Sequence, residues 1–355
     1  MRREAEVRAS FETQAMWCGR LGSPFTARLC ETLAATLDRT SALGARVLGW
    51  PGDPGPGGDA LALRLCGGLH ALVRVGASPG LAALYPPAPL PGRGALRRAL
   101  APVLRQDALL SWLDSAPQTN EVGRSAMLMA GLLVVAERFA QPIALYELGA
   151  SAGLNLQLDR YAYDLGGRAA GDPASTVRLK PEWTGAPPPA ASVRIAGRQG
   201  VDLNPLDPRA DGERLLAYLW PDQQVRLAQA RSALDIAAAD PPPVERGDAA
   251  DWIESRLALA GPAGITRIVM HSVAFQYFPA AAQARVVRHI AQAGAAATGD
   301  APLAWLRFEK LARDEKYSLR LRLWPGEEHL LAWAHPHASN VQMAGLKALL
   351  NILPA

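Results

Sequence analysis

A glycine-rich turn between two apolar segments constrains the fold of this chain more than any other feature of its sequence. Apolar residues run from Ile143 into Glu147, the small residues Gly149–Gly153 follow, and positions with helical spacing begin at Leu154. This order is typical of a buried parallel strand, a tight turn and the start of a helix. The stretch therefore predicts one strand–turn–helix step of an α/β fold.

The same turn has the composition of a ligand site. Gly149 and Gly153 carry no Cβ, so the backbone there can approach a bound molecule closely. The first N–H groups of the following helix would face that molecule, because no earlier carbonyl pairs with them. The acid favours a ligand with hydroxyls or an amine over a bare phosphate. We predict a site lined by Glu147, Gly149, Ser151, Gly153 and Asn155; the alternative is a tight turn that binds no ligand.

The segments on either side predict two domains. Before residue 140, apolar residues recur every three or four positions, which indicates helices. The predicted helices there are Ala5–Arg20, Phe25–Asp38, Ala60–Val75, Ala95–Asp114 and Glu121–Phe139. After residue 140, strand-like and helix-like segments alternate, which favours an open and mostly parallel sheet with helices on both faces. We predict an all-helical N-terminal cap domain at 1–140 and a doubly wound, Rossmann-like α/β domain at 141–355.

The second domain carries further predictions. Its strands are predicted at Ile143–Glu147, Ser192–Asp202, Val244–Arg246, Ile265–His271 and Leu303–Glu309. Its helices are predicted at Leu154–Arg160, Glu213–Leu219, Asp222–Ala237, Ala249–Leu259 and Ala280–Ala293. Residues 317–323 and 329–334 alternate in polarity around a Trp-Pro-Gly-Glu turn and predict a closing antiparallel hairpin. The Gly/Pro-rich segment near 164–191 predicts an insertion.

Composition excludes several classes of protein. The net charge of +4 at pH 7 gives no electrostatic footprint for nucleic acid, so we expect no nucleic-acid partner. Cys18, Cys30 and Cys66 occur without a CxxC spacing, which predicts buried thiols in the reducing cytoplasm. No signal peptide is visible, and the apolar run at 127–136 is too short to span a bilayer. We therefore expect a cytoplasmic protein without a membrane segment.

Polar residues follow the predicted strands at the edge where a parallel sheet binds ligands. In such a sheet, ligands lie beyond the carboxyl ends of the strands. The residues at the second and third strand ends that we assign to the site are Asp202, Asn204, Asp248 and Ala249. An ionised acid such as Asp202 or Asp248 only accepts hydrogen bonds, so it favours a ligand with hydroxyl or amine donors.

Residues 143–310 resemble the fold of class I S-adenosylmethionine-dependent methyltransferases. Glu147-Leu-Gly-Ala-Ser-Ala-Gly153 resembles the first motif of that fold, Gly200-Val-Asp-Leu-Asn-Pro205 the second and Gly247-Asp-Ala249 the third. The resemblance implies that S-adenosylmethionine is the cofactor. It also implies that the backbone of the first motif cradles the methionine part, that Asp202 takes the ribose hydroxyls and that Asp248 meets the adenine amine.

The chain departs from the methyltransferase pattern at three places. Ser151 occupies a position where many methyltransferases have glycine, and His271 one where many have an acid or asparagine. The spacing from Glu147 to Asp202 is about twice that of a roughly 30-residue βαβ unit, so the predicted insertion must loop out.

His271, at the end of the fourth strand, is the predicted general base. Methyl transfer is an in-line displacement, so the protein mainly orients the acceptor and removes its proton. Histidine titrates in the required range. We predict that Tyr277 or Gln276 places the acceptor. The alternatives are a core histidine at position 271 and lid packing by Tyr277 and Phe278.

Two further polar motifs leave alternatives open. Asn120 is a favourable N-cap for the last predicted helix of the first domain, and Glu121 and Arg124 lie on one face of that helix. They form either a cap with a surface ion pair or a binding site in which Arg124 pairs with a ligand carboxylate. His335 and His337 could share a metal, but no third ligand is identifiable, so we favour a structural role or a place at the substrate rim and predict no metal site.

The whole chain also resembles a bacterial family of unknown function, marked by Asn-Glu-x-Gly-Arg-Ser, Gly-Ala-Ser-Ala-Gly-Leu-Asn and a His-Pro-His ending. We expect methyl transfer to a small molecule. One alternative is a protein without catalysis that keeps a nucleoside pocket. A second is a serine hydrolase, because Gly149-Ala-Ser151-Ala-Gly153 has the spacing of a nucleophile elbow. A nicotinamide dinucleotide site would need a different glycine spacing.

Overall fold

The structure is a computed structural model that describes residues 2–311 and 316–345. Within the predicted domains, Met1 and residues 312–315 and 346–355 lie outside the described residues. The chain divides into two compact units: Met1–Thr119 with Asp211–Ala228, and Asn120–Ala210 with Gln229–Ala355. These limits differ from the predicted domains, because the helix Ser125–Phe139 belongs to the second unit and a later segment belongs to the first.

The first unit is built from helices around one apolar core. Its helices are α1 (Arg2–Arg20), α2 (Pro24–Thr36), α3 (Ala42–Leu48), α4 (Leu61–Arg74), α5 (Pro79–Ala82), α6 (Arg93–Val103), a 3₁₀ helix at Asp107–Leu113 and, later in the chain, α8 (Gly212–Tyr218). Phe11, Leu33 and Leu65 are fully buried in this core. The three cysteines are free and buried, as predicted.

Asp222 joins the later segment of the first unit, Asp211–Ala228, to the start of α2 by two hydrogen bonds. One carboxylate oxygen accepts a hydrogen bond from the Ser23 hydroxyl at 2.5 Å, and the other accepts from the Phe25 amide at 2.8 Å. A carboxylate at this position pairs with amides that have no carbonyl partner in the helix. We therefore expect Asp222→Ala to lower the free energy of unfolding by about 1.5 kcal/mol, as measured by urea unfolding. The matched control is Asp235→Ala, an exposed residue of helix α9 (Gln224–Ala239), and equal losses in both variants would contradict the capping role.

The second unit combines a large sheet with helices. Its other helices are α7 (Ser125–Phe139), α10 (Ala249–Leu257), α11 (Ala280–Ala295) and 3₁₀ helices at Val122–Arg124, Leu154–Arg160 and Phe275–Tyr277. Its strands are β1 (Ile143–Leu148), β2 (Ala162–Leu165), β3 (Arg168–Gly171), β4 (Arg178–Leu179), β5 (Glu182–Thr184), β6 (Ile195–Asp202), β7 (Val244–Arg246), β8 (Thr266–Ser272), β9 (Leu303–Glu309), β10 (Tyr317–Trp324), β11 (Glu328–Ala334) and β12 (Asn340–Met343). Among the described residues, nine strands form one sheet in the order β5-β12-β11-β10-β9-β8-β1-β6-β7, and a smaller sheet has the order β3-β2-β4. The chain is thus α/β, with a large and mostly parallel sheet and a C-terminal antiparallel group of strands.

The neighbouring strands β7, β6, β1, β8 and β9 are parallel. Numbered in the order in which they occur along the chain, they lie across the sheet as 3-2-1-4-5. The strand order therefore reverses between β1 and β8, which is where an open sheet of this kind leaves a crevice for ligands. Glu147 pairs with Gly200 of β6 and with Met270 of β8, so the carboxyl ends of these three strands lie side by side.

Helices cover both faces of the large sheet, because successive side chains of a strand point to opposite faces. On β9, Trp305 packs in an apolar core with Ile253 of α10 and Val286 of α11. The next residue, Leu306, lies on the face of α7, so close that a Cβ on Gly131 would be 2.3 Å from its side chain. None of the helices in the described part of the chain has the length and apolar character that crossing a bilayer requires.

The predicted elements differ from the structure at a few places. The single helix predicted at Ala95–Asp114 is wrong: α6 ends just after Pro102, and a separate 3₁₀ helix follows. Proline has no amide to continue the helical hydrogen bonds, which favours the break. The segment near 164–191 contains short strands of the small sheet and the edge strand β5. The predicted antiparallel hairpin is β10 and β11, and the unpredicted β12 joins β11 to β5.

Candidate functional site

The glycine-rich turn after β1 is held by the end of β6. The amides of Gly149 and Ala150 both donate to the Val201 carbonyl, at 2.9 and 3.0 Å. The next amide, that of Ser151, donates to Oδ2 of Asp202 at 2.8 Å. Asp202 is therefore the last residue of β6, and its side chain holds the turn in place by a hydrogen bond.

Asn120 accepts hydrogen bonds from two more amides of this turn. Its Oδ1 accepts from Ala152 at 3.2 Å and from Leu154 at 3.0 Å. Asn120 has φ 39°, in the left-handed region that asparagine tolerates, and this conformation turns its side chain to the glycine-rich turn. The expected N-cap role of Asn120 is wrong, since α7 begins at Ser125. The expectation that these amides face a ligand is also wrong, because protein oxygens already accept from them.

The two predicted glycines are required by the protein's own packing. Gly149 and Gly153 have φ values of 72° and 71°, which side-chain-bearing residues adopt at a cost. A Cβ on Gly149 would lie 2.6 Å from the Cβ of Ala274, and a Cβ on Gly153 would lie 2.5 Å from the ring of Pro242. Close backbone approach is thus observed, but towards neighbouring residues of the chain.

The Asn120 contact predicts a loss of stability. In Asn120→Ala, the buried amides of Ala152 and Leu154 lose their acceptor, and alanine is disfavoured at positive φ. We expect the free energy of unfolding to fall by about 2 kcal/mol, with faster hydrogen exchange of both amides. Asn120→Asp is the matched control, because its carboxylate can still accept both hydrogen bonds. If both variants lose the same stability, the accepting oxygen is not what matters.

Asp202 keeps capacity for a ligand while it holds the turn. Its Oδ1 accepts from the Asn204 amide at 2.8 Å, and its Oδ2 accepts from Ser151. Each carboxylate oxygen has about two lone-pair sites, so each can accept a further hydrogen bond. Asp202 is half-buried and Asn204 is exposed. Two neighbouring hydroxyl donors, as on a ribose, match such a carboxylate.

Glu147 is a buried carboxyl at the end of β1. Only 1% of the surface of Glu147 is exposed. Burial and the nearby charge of Asp202 raise the pKa of Glu147 well above its usual value, and a hydrogen bond with Asn155 offsets only part of that effect. Asn155 in turn accepts from the Ser125 hydroxyl at 2.7 Å. Within the described part of the chain, Oε2 of Glu147 has no hydrogen-bond partner, and a buried polar atom of this kind indicates a site for a further donor or acceptor.

Asp248 is the N-cap of α10. Its Oδ1 accepts from the amides of Ala250 and Asp251, at 2.8 and 3.1 Å, and Ala249 is the first helical residue. The amide of the preceding Gly247 donates to the Asp202 carbonyl at 3.0 Å. Asp248 thus directly follows a residue whose amide is hydrogen-bonded to Asp202. Its own side chain caps α10.

Arg124 lies at the carboxyl end of β8. Its Nη1 donates to the Ser272 carbonyl at 3.2 Å, and its Nε donates to the Pro336 carbonyl at 2.9 Å. Its expected partner in a surface ion pair, Glu121, is only 4% exposed and accepts from the Gly123 amide at 3.2 Å. Glu121 is therefore buried and not a surface residue as expected, and Arg124 lies at the edge where ligands of an open sheet bind.

The His-Pro-His segment 335–337 packs against Gly123 and Arg124 at the carboxyl end of β8. The rings of His335 and His337 are 5.0 Å apart, and the His337 amide donates to Nδ1 of His335 at 3.2 Å. A Cβ on Gly123 would be 2.5 Å from the His337 carbonyl oxygen, so the segment before α7 needs glycine here. In residues 2–311 and 316–345, no three His, Cys, Asp or Glu side chains are arranged to hold a metal ion. The three motifs at 120–125, 149–155 and 335–337 thus meet at the ends of β1 and β8.

His271, the predicted base, is enclosed in the protein. His271 is fully buried, with 0% of its surface exposed. Its Nδ1 lies 2.8 Å from Oε1 of Glu309, and its Nε2 accepts from the Trp305 indole N–H at 3.1 Å. Because an indole can only donate, the proton of a neutral ring belongs on Nδ1. This geometry favours the core histidine that the sequence left open, with side chains of β9 as its partners.

Gln276 and Tyr277, the predicted acceptor-placing residues, lie on the surface after β8. Both are exposed, and Tyr277 retains 66% of its accessible surface. Burial raises the pKa of the neighbouring Tyr317, and its hydrogen bond with Gln276 opposes that shift. The two side chains therefore lie beside Tyr317.

The serine-hydrolase alternative has one feature in its favour and one against it. Ser151 has φ 55°, a left-handed conformation on a strand–turn–helix segment, as a nucleophile elbow requires. However, Nε2 of His271, which would have to accept the serine proton, faces Trp305 instead. The described residues therefore do not present this histidine to Ser151.

Sequence reasoning missed two residues that shape this region. Asn120 was noticed only as a helix cap, although its carboxamide serves equally well as an acceptor for a neighbouring turn. Glu309 was not assigned any role, yet it is the last residue of the predicted strand Leu303–Glu309. The rule that was applied to the ends of the first four strands would have identified it.

Comparison with known proteins gives one result that bears on identity. Residues 8–342 match the family described as "Uncharacterized protein conserved in bacteria (DUF2332)". No curated protein matches the chain. The matched range contains the three motifs that meet at β1 and β8. The chain belongs to this uncharacterized bacterial family.

Proposed function

We propose that the second unit binds S-adenosylmethionine at the carboxyl edge of its parallel strands and transfers the methyl group to a small molecule. One observation carries the proposal. Glu147, the next-to-last residue of β1, and Asp202, the last residue of the neighbouring strand β6, lie on either side of a glycine-rich turn, next to the point where the strand order 3-2-1-4-5 reverses. That order is the one found in Rossmann-like folds, which bind nucleosides at this point.

The residues at this edge fit a nucleoside with a charged tail. Asp202 can accept from both ribose hydroxyls, since each of its oxygens accepts one backbone hydrogen bond and has a further lone pair. Asp248 would meet the adenine amine, and Oε2 of Glu147, which has no partner among the described residues, offers a buried partner to a donor or acceptor of the ligand. Arg124 would pair with the carboxylate of the methionine part. The glycine-rich turn contributes shape, because its amides already donate within the protein.

The chain's own residues bind and orient the reactants. The cofactor supplies an electrophilic methyl group on a sulfonium. Gln276 and Tyr277 are exposed after β8 and would orient the acceptor. We assign no proton transfer to His271, because both of its ring nitrogens are engaged within the protein. Alignment of the acceptor with the methyl group is therefore the main contribution of the protein to the rate.

Calorimetry tests the binding half of this proposal. The purified chain should bind S-adenosylmethionine and S-adenosylhomocysteine with one site each. Radioactive methyl transfer from labelled cofactor to the small-molecule fraction of a bacterial extract tests the catalytic half. If neither compound binds at millimolar concentration, the proposal is rejected.

The enclosure of His271 favours a second candidate, a cofactor-binding protein without catalysis. Binding without methyl transfer across a broad set of acceptors would support it. The hydrolase alternative has its own test, since a fluorophosphonate probe should label Ser151 only if that serine is activated. A Ser151→Ala variant serves as the unlabelled control.

A further inference from the structure

The loop that follows β8 has a strained backbone. Val273 has φ 51°, a left-handed conformation that is a true outlier for a β-branched side chain. Such strain is unfavourable and persists only where surrounding contacts impose it. The Val273 amide donates to the Phe308 carbonyl at 2.9 Å. The strained residue therefore follows directly after the pairing of β8 with β9. Some other contact must hold the residues that follow.

Glu309, at the carboxyl end of β9, makes that contact. Its Oε1 accepts from the Ala274 amide at 2.9 Å, from the Phe275 amide at 3.1 Å and from Nδ1 of His271 at 2.8 Å. The residue is 3% exposed, so water does not compete for these hydrogen bonds. A single buried oxygen thus fixes two successive amides of the loop.

The charge of Glu309 is stabilised by the same hydrogen bonds. Burial alone would raise the pKa of Glu309, but the hydrogen bond and the electrostatic attraction of His271, together with the hydrogen bonds from the two loop amides, outweigh burial, so the pKa lies below its usual value. Glu309 is therefore ionised at neutral pH. Trp305 completes the arrangement, because its donation to Nε2 keeps the proton of His271 on the nitrogen that faces Glu309.

The loop held by Glu309 borders the candidate site. Ala274 packs so closely on the turn after β1 that a Cβ on Gly149 would lie 2.6 Å from the Cβ of Ala274. Gln276 and Tyr277, which follow at once, are exposed at the same edge. The position of Ala274 therefore decides how closely this loop packs on the turn at Gly149.

We infer that Glu309 is a positioning residue that fixes loop 273–278 as one wall of the ligand site at the reversal between β1 and β8. The identity of that ligand rests on the function proposed above. The fixation of the loop does not, since all its contacts lie within the chain.

Glu309→Gln in the full chain tests the inference. The amide keeps the shape of the side chain but removes the charge, and its N–H₂ group would lie where Oε2 now has no partner among the described residues. We expect hydrogen exchange at Ala274 and Phe275 to become about 100-fold faster, because hydrogen bonds to charged groups are the stronger ones. The dissociation constant for S-adenosylmethionine should rise about tenfold. The indole N–H resonance of Trp305 should shift, because it reports the tautomer of His271.

The matched control is Glu254→Gln, a surface glutamate paired with Arg285 at 2.7 Å, which should leave all three readouts unchanged. Unchanged exchange at Ala274 and Phe275 in Glu309→Gln would overturn the inference. Faster exchange with unchanged affinity would overturn the claim that this loop is a wall of the site. If the wild-type chain binds no cofactor, the proposed function fails, and the exchange rates alone decide whether Glu309 fixes the loop. If Glu309→Gln does not fold, strong protection of both amides in the wild-type chain supports the inference, and rapid exchange there overturns it.

Discussion

Asp202→Asn should weaken the binding of S-adenosylmethionine by about 100-fold, or about 2.8 kcal/mol. Asp202 is half-buried, and each of its oxygens accepts one backbone hydrogen bond, which leaves acceptor capacity for two hydroxyls. Asparagine offers one acceptor oxygen and places N–H donors against the second hydroxyl. Hydrogen bonds to a charged group contribute about 1.5–3 kcal/mol, so the loss should be large. Isothermal titration calorimetry of both proteins measures it.

The chain supplies a closely matched control for this variant. Asp207 makes the same local turn, with its Oδ1 accepting from the amide two residues later, Arg209, at 2.7 Å. Asp207→Asn should therefore change the local turn as much as Asp202→Asn does, but without affecting cofactor binding. Equal losses in both variants, or no loss in Asp202→Asn, would remove Asp202 from the ligand site.

Glu147→Gln should make the protein more stable than the wild type at neutral and alkaline pH. Burial raises the pKa of Glu147 in the folded chain, while the unfolded chain keeps the ordinary value. Between those two values the unfolded state releases a proton that the folded state holds, so rising pH favours unfolding. The contribution of Glu147 is complete below the unfolded pKa and is lost as the pH rises towards the folded pKa. Glutamine cannot titrate, so the variant should gain on the wild type at a rate that approaches about 1.4 kcal/mol per pH unit.

Urea unfolding at a series of pH values above 5 measures this difference. Glu182→Gln, an exposed glutamate of β5, should leave the pH dependence of the wild type unchanged. A constant difference between Glu147→Gln and the wild type across the series would show that Glu147 is ionised in the folded protein.

The positions of strand ends could be predicted because apolar runs stop there. Glu147 and Glu309 each follow such a run, whereas Asp202 follows Val201 alone, and each of the three is the last or next-to-last residue of its strand in the structure. The limits of the two units could not be predicted in the same way. The periodicity of residues 213–219 shows that a helix has an apolar face, but it does not show which core that face joins. In the structure α8 belongs with helices that precede it by a long stretch of chain.

The surroundings of each candidate residue were harder to predict than its place along the chain. His271 and Glu147 both lie at strand ends, yet His271 contacts Trp305 on the side of α11 and Glu147 contacts Asn155 on the other side. A shift of one residue along a strand exchanges these sides, and polar residues at a strand end carry no periodic signal that would fix the choice. Asn120 shows the same difficulty, since one carboxamide can cap a helix or bond to a turn.

The discontinuity of the first unit has a consequence for the order in which the protein is made. Nδ1 of His70 lies 3.1 Å from the carbonyl oxygen of Ala217, and a Cβ on Gly67 would be 2.6 Å from the ring of Tyr218. Helix α8 therefore packs directly on α4. During synthesis from the N-terminus, α4 leaves the ribosome long before α8 exists, and β1 and β6 emerge in between. Completion of the helical core must therefore wait for the strands, and joining the two pieces closes a long loop of chain. A gene cut at residue 119 or 140 would separate α8 from the other helices of the first unit, so neither half would encode the whole helical core.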